Sequence, residues 1–290
     1  MTDVEDQELD YMTPLLAWVE RSLDLGQQPN RHLHMGWWEP SELGGWRGPD
    51  GALRQPPMDE VFAAQRAMTA HFLRVACVEP GQRVLDVGCG IGGTLLDLAE
   101  RRRGLTLVGV NRSQRQLRLA RRLAAHLVPE EAPSFVFGDA GALPSEDATV
   151  DRVLALECAF HFPSRRAFLR EAMRVLAPAG AITLTDFVPA GSAAWSGELT
   201  DALVEGHFPW PDPMLREGSY AQMAAELGLR IETDDDITVN VAPTFFGLVE
   251  RVGAEGEHLG RLAGVDRGGA ALGVLLNSGR LQVRLIRLVP

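Results

Sequence analysis

The 290-residue chain is 46% hydrophobic and 23% charged, the balance of a globular protein with a real core, and its length admits one large domain or two small ones. A formal net charge of −11 excludes the concentrated basic surface that a nucleic-acid backbone requires. The three cysteines, Cys77, Cys89 and Cys158, are an odd count without a C-x-x-C pair, which argues against a disulfide framework or a zinc site and fits a reducing cytoplasm. All 28 basic residues are Arg, as GC-rich codon usage would produce. The acidic N-terminus lacks a signal-peptide pattern, and no apolar run approaches the ~18 residues of a membrane span. A cytoplasmic protein with neither membrane nor nucleic acid as partner is expected, with self-association left open.

In chain order, Leu9, Met12, Leu15, Leu16, Val19 and Leu23 recur at helical spacing and predict an amphipathic helix. Residues 26–58 form an irregular stretch rich in Gly, Pro and Trp, and a second helix follows over about 59–78. Strands are then predicted at 82–88, 105–111, 133–138, 150–157, 180–187, 229–234 and 280–288. Helices fit 92–103, 113–127, 165–177, 219–227 and parts of 243–276. This alternation predicts an α/β fold: a doubly wound, mostly parallel, Rossmann-like sheet of seven strands. Pro189–Gly218 interrupts it with a helical stretch near 196–206 and reads as a lid over the strand C-termini. The expected organisation is one domain: a helical arm over 1–78, a cofactor-binding core over 79–187, the lid insertion over 188–218 and the rest of the core over 219–290.

The first strand runs into Val84-Leu-Asp-Val-Gly-Cys-Gly-Ile-Gly-Gly93 and then a helix. Glycines in such a turn allow positive φ and let a ligand touch the main chain. Gly88, Gly90 and Gly93 satisfy the dinucleotide fingerprint G-x-G-x-x-G, but Asp86, two positions earlier, favours another ligand. A pyrophosphate has little use for a carboxylate at the strand end. S-adenosylmethionine (SAM), with an ammonium, a sulfonium and a carboxylate for the helix N-terminus, does. The dinucleotide reading also wants an acid about 20 residues on, where strand two ends in Asn111-Arg112 instead.

Ligands of open α/β sheets sit outside the strand C-termini. The expected cofactor contacts are therefore Asp86, Gly88, Gly90, Gly92, Asn111, Arg112, Gln116, Asp139, Ala140 and Glu157. Asp139 can accept from an adenine amine while the Ala140 N–H reaches a ring nitrogen; its other reading is an ordinary turn or N-cap residue. Glu157 and His161 share a face if the chain turns helically after strand four. His161 is the candidate base, with Asp186 at the end of strand five as its orienting partner and Glu157 as an electrostatic stabiliser. His34, Trp37, Trp38, Phe160 and His207 are candidates for the acceptor pocket. His32 and His34 lack a third ligand at usable spacing, so no metal is expected. His71 reads as packing and Asp234-Asp-Asp236 as a solvated turn.

Together these motifs resemble the class I SAM-dependent methyltransferases. Val84–Gly93 resembles their first motif, Gly138-Asp-Ala140 their adenine-contact motif, and Leu176-Ala-Pro-Ala-Gly180 their L-x-P-G-G turn with Ala179 replacing a glycine. More narrowly, His34-Met-Gly-Trp-Trp38 is similar to the H-x-G-Y-W, and Glu157-Cys-Ala-Phe-His161 to the E-S-x-x-H, of natural-product methyltransferases such as the rebeccamycin-type sugar O-methyltransferases. Trp37 stands where that subgroup usually has Tyr. The resemblance implies in-line methyl transfer to a small molecule, at a hydroxyl oxygen, without a metal. The alternatives are C-methylation of a prenyl or terpene acceptor, a SAM-binding protein that transfers no methyl, and a nicotinamide-dependent oxidoreductase.

Overall fold

The computed structural model describes residues 12–39, 54–127, 131–190, 197–206, 219–253, 256–262 and 264–290. Seven strands, β1 (Arg83–Val87), β2 (Thr106–Asn111), β3 (Ser134–Phe137), β4 (Val150–Ala155), β5 (Leu176–Pro189), β6 (Arg230–Asp236) and β7 (Leu281–Val289), form one sheet in the order β3-β2-β1-β4-β5-β7-β6. Strands β1 to β5 pair in parallel, and β7 runs antiparallel to both β5 and β6. The fold is thus the expected α/β sheet, mixed at one edge.

The described α-helices are α1 (Thr13–Asp24), α2 (Met58–Ala76), α3 (Gly93–Arg101), α4 (Gln114–Ala124), α5 (Arg165–Val175), α6 (Glu198–Gly206), α7 (Ser219–Glu226), α8 (Thr238–Val241), α9 (Phe246–Val252) and α10 (Gly264–Asn277), with short 3-10 segments at Ala159–His161, Ala242–Phe245 and Leu259–Arg261. The side-chain alternation of a strand divides the core between the two faces of the sheet. Val84 joins α2, α3, α4 and α10 in one apolar layer, while Leu85 and Val87 join α5 and α7 in the other. Burial on both faces explains why the parallel strands read as unbroken aliphatic runs rather than as alternation.

Two local readings change. Leu176–Gly180, expected as a turn, already belongs to β5: Leu176 pairs with Val150, and a bulge between Val150 and Arg152 absorbs the extra residues before Ala181 meets Arg152. Asp234, Asp235 and Asp236 belong to the exposed edge strand β6 rather than to a turn, and Arg284 of β7 donates to Asp234 at 2.8 Å. Charges on an edge strand prevent further strand addition. Of the expected lid, the described part is the end of β5, Ala190 and α6, which packs on α10; His207 lies outside the described residues.

Strand order reverses between β1 and β4: the chain moves outward from β1 through β2 to β3, then returns to β4 on the other side of β1. A crevice opens at such a switch point, outside the strand C-termini. It lies between the glycine turn after β1 and the segment beginning at Glu157.

Candidate active site

A cavity of about 370 Å³ occupies that crevice. Its floor on the β1 side is the glycine turn. Gly88 and Gly90 have φ of 73° and 56°, and the N–H groups of Gly88 and Cys89 donate to Val110 O at 2.8 and 3.1 Å. A Cβ on Gly90 would meet nothing closer than 3.8 Å, so the backbone there lies open to the cavity. Gly92 does not line the cavity and is corrected from a ligand contact to a packing residue. It caps α3 at φ 83°, and a Cβ would lie 2.7 Å from the Phe135 ring.

Asp86 lines the cavity, is 2% exposed, and its Oδ2 accepts no hydrogen bond. Burial with no cation alongside pushes its carboxyl up to about 8. A buried polar oxygen left without a donor is the exception in folded proteins, and here an ammonium group would complete it. The residues present therefore fit SAM. Beyond β2, Asn111 accepts from Ser113 N at 3.2 Å and donates to Gln116 Oε1 at 2.9 Å, with Ser113 capping α4. Asp139 accepts from Gly141 N at 2.7 Å and faces the Arg112 guanidinium at 3.3 Å. Asn111, Arg112, Gln116, Asp139 and Ala140 all line the cavity.

On the β4 side the chain makes the expected turn, a short 3-10 segment over Ala159–His161, and Glu157, Phe160 and His161 line the cavity together. Glu157 has a φ of 53°, a left-handed conformation uncommon for a side chain of its size. Its N–H donates to Thr185 Oγ1 at 2.8 Å, and its Oε2 accepts from Met35 N at 2.6 Å. Burial raises this carboxyl too, to about 8.

Asp186 departs from expectation. It does not line the cavity. Its Oδ2 accepts from Arg165 Nε at 3.0 Å and the Tyr220 hydroxyl at 2.7 Å, and its Oδ1 from Arg165 Nη2 at 3.3 Å and Phe187 N at 2.9 Å. With both oxygens engaged behind the wall, the expected His161–Asp186 dyad is not formed.

Residues 31–35 line the cavity. His34 lines it, but both ring nitrogens face inward, 2.8 Å from Met35 O and 2.8 Å from Thr69 Oγ1, and burial holds its pKa down at about 4. Trp37 and Trp38 are corrected: neither lines the cavity. Trp37 stacks on His71 at 3.7 Å between ring centroids and donates to Glu39, while Trp38 is 3% exposed, its N–H donating to Asn240 O and its carbonyl accepting from Asn240 Nδ2, both at 2.9 Å. Several lining residues were not anticipated. Arg31, clamped by Asp97 and Glu100, was legible as a cation beside the His-x-His motif. Gln65, four positions before Thr69 on α2, bonds His34 O at 2.5 Å. Phe187, Phe245 and Leu272 carried no motif.

Residues 85–184 match the family model described as a methyltransferase domain. The chain is 31% identical over 216 residues to Methyltransferase GfsG of Streptomyces halstedii, covering 73% of this chain and 71% of the relative. It is 27% identical over 251 residues to an O-methyltransferase of Pyrenophora dematioidea, covering 86% and 82%. The solved structure of geranyl diphosphate methyltransferase in complex with GPP and sinefungin superposes with a TM-score of 0.72 over 98% of this chain and 94% of that one, at 19% identity, and shows the same fold. The chain belongs to the class I SAM-dependent methyltransferases. It is an enzyme of the natural-product type, and its cofactor is S-adenosylmethionine. Among the described residues no helix is long and apolar enough to cross a membrane.

Proposed function

We propose that this enzyme methylates a hydroxyl oxygen of a small, uncharged natural-product molecule, within one domain. The carrying observation is the make-up of the cavity wall: Phe160, Phe187, Phe245 and Leu272 supply apolar surface, and His161 and Glu157 line the same cavity. Arg31 and Arg112 are the guanidiniums in the described wall, and both face carboxylates. An anionic acceptor has no free cation to meet there, whereas a neutral hydroxyl needs a base and an apolar bed.

When bound, SAM supplies a methyl carbon activated by its sulfonium. Asp86 would hold the ammonium, the Gly88–Gly90 backbone the amino-acid end, and Asn111, Gln116, Asp139 and Ala140 the adenosine. The apolar wall aligns the acceptor oxygen, and alignment alone can supply up to roughly 7–11 kcal/mol of a barrier. His161 takes the acceptor's hydroxyl proton, the role of a general base, freeing the oxygen toward the activated methyl group that SAM would supply. A second reading, C-methylation of a terpene, draws on the Phe160–Phe187 pair, 4.8 Å between centroids, beside Glu157. A screen of hydroxylated natural products and prenyl diphosphates, read by S-adenosylhomocysteine (SAH) release and product mass spectra, separates the two. O-methyl products support the proposal; a carbon-methylated prenyl diphosphate overturns it.

A further inference from the structure

Two carboxyl groups, Asp86 and Glu157, are buried in the wall of one cavity. They occupy different places. Asp86 ends β1 beside the glycine turn. Glu157 follows β4, the strand between the cofactor-side strands and β5, and shares its segment with His161. Resting on the SAM reading above, we propose that Glu157 is the residue that distinguishes SAM from its demethylated product by charge, binding the cationic form with release of a proton that the neutral form does not displace.

The geometry carries this in three ways. First, Glu157 is held in left-handed backbone that is strained for a non-glycine residue, and such strain persists where surrounding bonds over-determine it. Here those bonds come from Thr185 Oγ1 and the Met35 amide. Second, among the described residues the carboxyl meets a neutral N–H and no cation. On the arm, Arg31 is engaged by Asp97 and Glu100. His32 and His34 are held neutral by burial, with pKa values lowered to about 3 and about 4. On β2 and β3, Arg112 faces Asp139; behind β5, Arg165 of α5 faces Asp186. The thiols of Cys89 and Cys158 are pushed up by burial and stay protonated, His161 lies four residues along the same segment, and Thr244, Phe245 and Leu272 bring no charge.

Third, the two ligands differ in charge at one atom. Both SAM and SAH carry an ammonium, which Asp86 serves in either case. SAM alone carries a sulfonium. With burial holding Glu157 up to about 8, the acid stays protonated near neutral pH until a cation joins it.

The test is calorimetric titration of the full-length protein with SAM and with SAH near neutral pH, in two buffers of different ionisation enthalpy. The wild type should release up to one more proton with SAM than with SAH. Glu157→Gln should abolish that difference, weaken SAM about tenfold or more, and leave SAH within about twofold. The ligand's own amino group titrates alike against both proteins, so it cancels between them. Equal weakening of SAM and SAH in the variant, or an unchanged proton difference, overturns the proposal. Should the variant not fold, the wild type still decides. Its SAH-to-SAM dissociation-constant ratio, corrected for each ligand's amino group, should climb by up to about tenfold per pH unit below about pH 8 and then flatten. A flat ratio overturns the proposal. If neither ligand binds, the SAM site itself fails, which is a different result.

Discussion

Asp186 holds the guanidinium of Arg165, with Nε 3.0 Å from Oδ2 and side-chain exposures of 0% and 3%. Arg165 opens α5 four residues after His161, and Asp186 lies in β5 one residue before the cavity-lining Phe187. The pair thus joins the His161 segment to the wall from behind, with the Tyr220 hydroxyl as a third member. Removing one partner strands a buried charge. Asp186→Ala should therefore cost about 3–5 kcal/mol in equilibrium urea unfolding. Replacing Arg165 with Met and Asp186 with Leu together should recover most of that loss. Unchanged stability in Asp186→Ala, combined with lost turnover, would restore the dyad with His161.

His161→Ala tests the base. His161 lines the cavity with Glu157 and Phe160, after a different strand from Asp86, Asn111 and Asp139, so under the proposed function its loss should spare cofactor binding. Turnover on a hydroxyl acceptor should fall by about 10²–10⁴-fold. SAM affinity by calorimetry should stay within about twofold. Equal losses in turnover and SAM affinity would assign His161 to the cofactor instead.

Much of this site was legible because strand ends converge whatever the side chains do. Asp86, Asn111, Asp139 and Glu157 meet in one cavity because β1, β2, β3 and β4 end at the same edge. Facing direction was not legible. Asp186 also ends a run of buried aliphatics, but partners 21 and 34 residues away, Arg165 and Tyr220, turn it from the crevice. Trp37 and Trp38 follow the path of the arm, which Gln65, Thr69 and Glu157 fix through contacts 31, 35 and 122 residues apart in sequence. The glycine run could not say which member faces a ligand; the Phe135 ring, on β3, decides that Gly92 does not.

Thr69 is fully buried on α2 and bridges two imidazoles. Because His34 Nδ1 must donate to Met35 O, its Nε2 accepts from the Thr69 hydroxyl, whose oxygen in turn accepts from His32 Nδ1 at 3.1 Å. These tautomers follow from the partners. Thr69→Val keeps the shape and leaves two ring nitrogens unsatisfied, at about 1–3 kcal/mol each. Hydrogen exchange in residues 30–38 should accelerate by about tenfold or more while α5 keeps its protection. Uniform acceleration across the chain would mean that Thr69 supports the fold rather than the arm.

Asp86 makes stability and cofactor binding oppose each other with pH. Its carboxyl titrates at about 8 in the folded chain against an ordinary 3.8, so the folded state holds a proton that the unfolded state has released. Stability from this source is complete below about pH 4 and is lost as pH rises through about 8; Glu157 adds to the same slope. The unliganded protein should therefore melt at progressively lower temperature from about pH 5 to about pH 8. A bound ammonium reverses the preference by stabilising the ionised form, so the rise in melting temperature produced by SAM should grow over that range. Asp86→Asn should flatten the unliganded slope and raise the melting temperature near about pH 8, while weakening SAM about tenfold or more. A variant that binds SAM as tightly as the wild type would remove Asp86 from the cofactor site, and an unchanged slope would remove it as the source of the pH dependence.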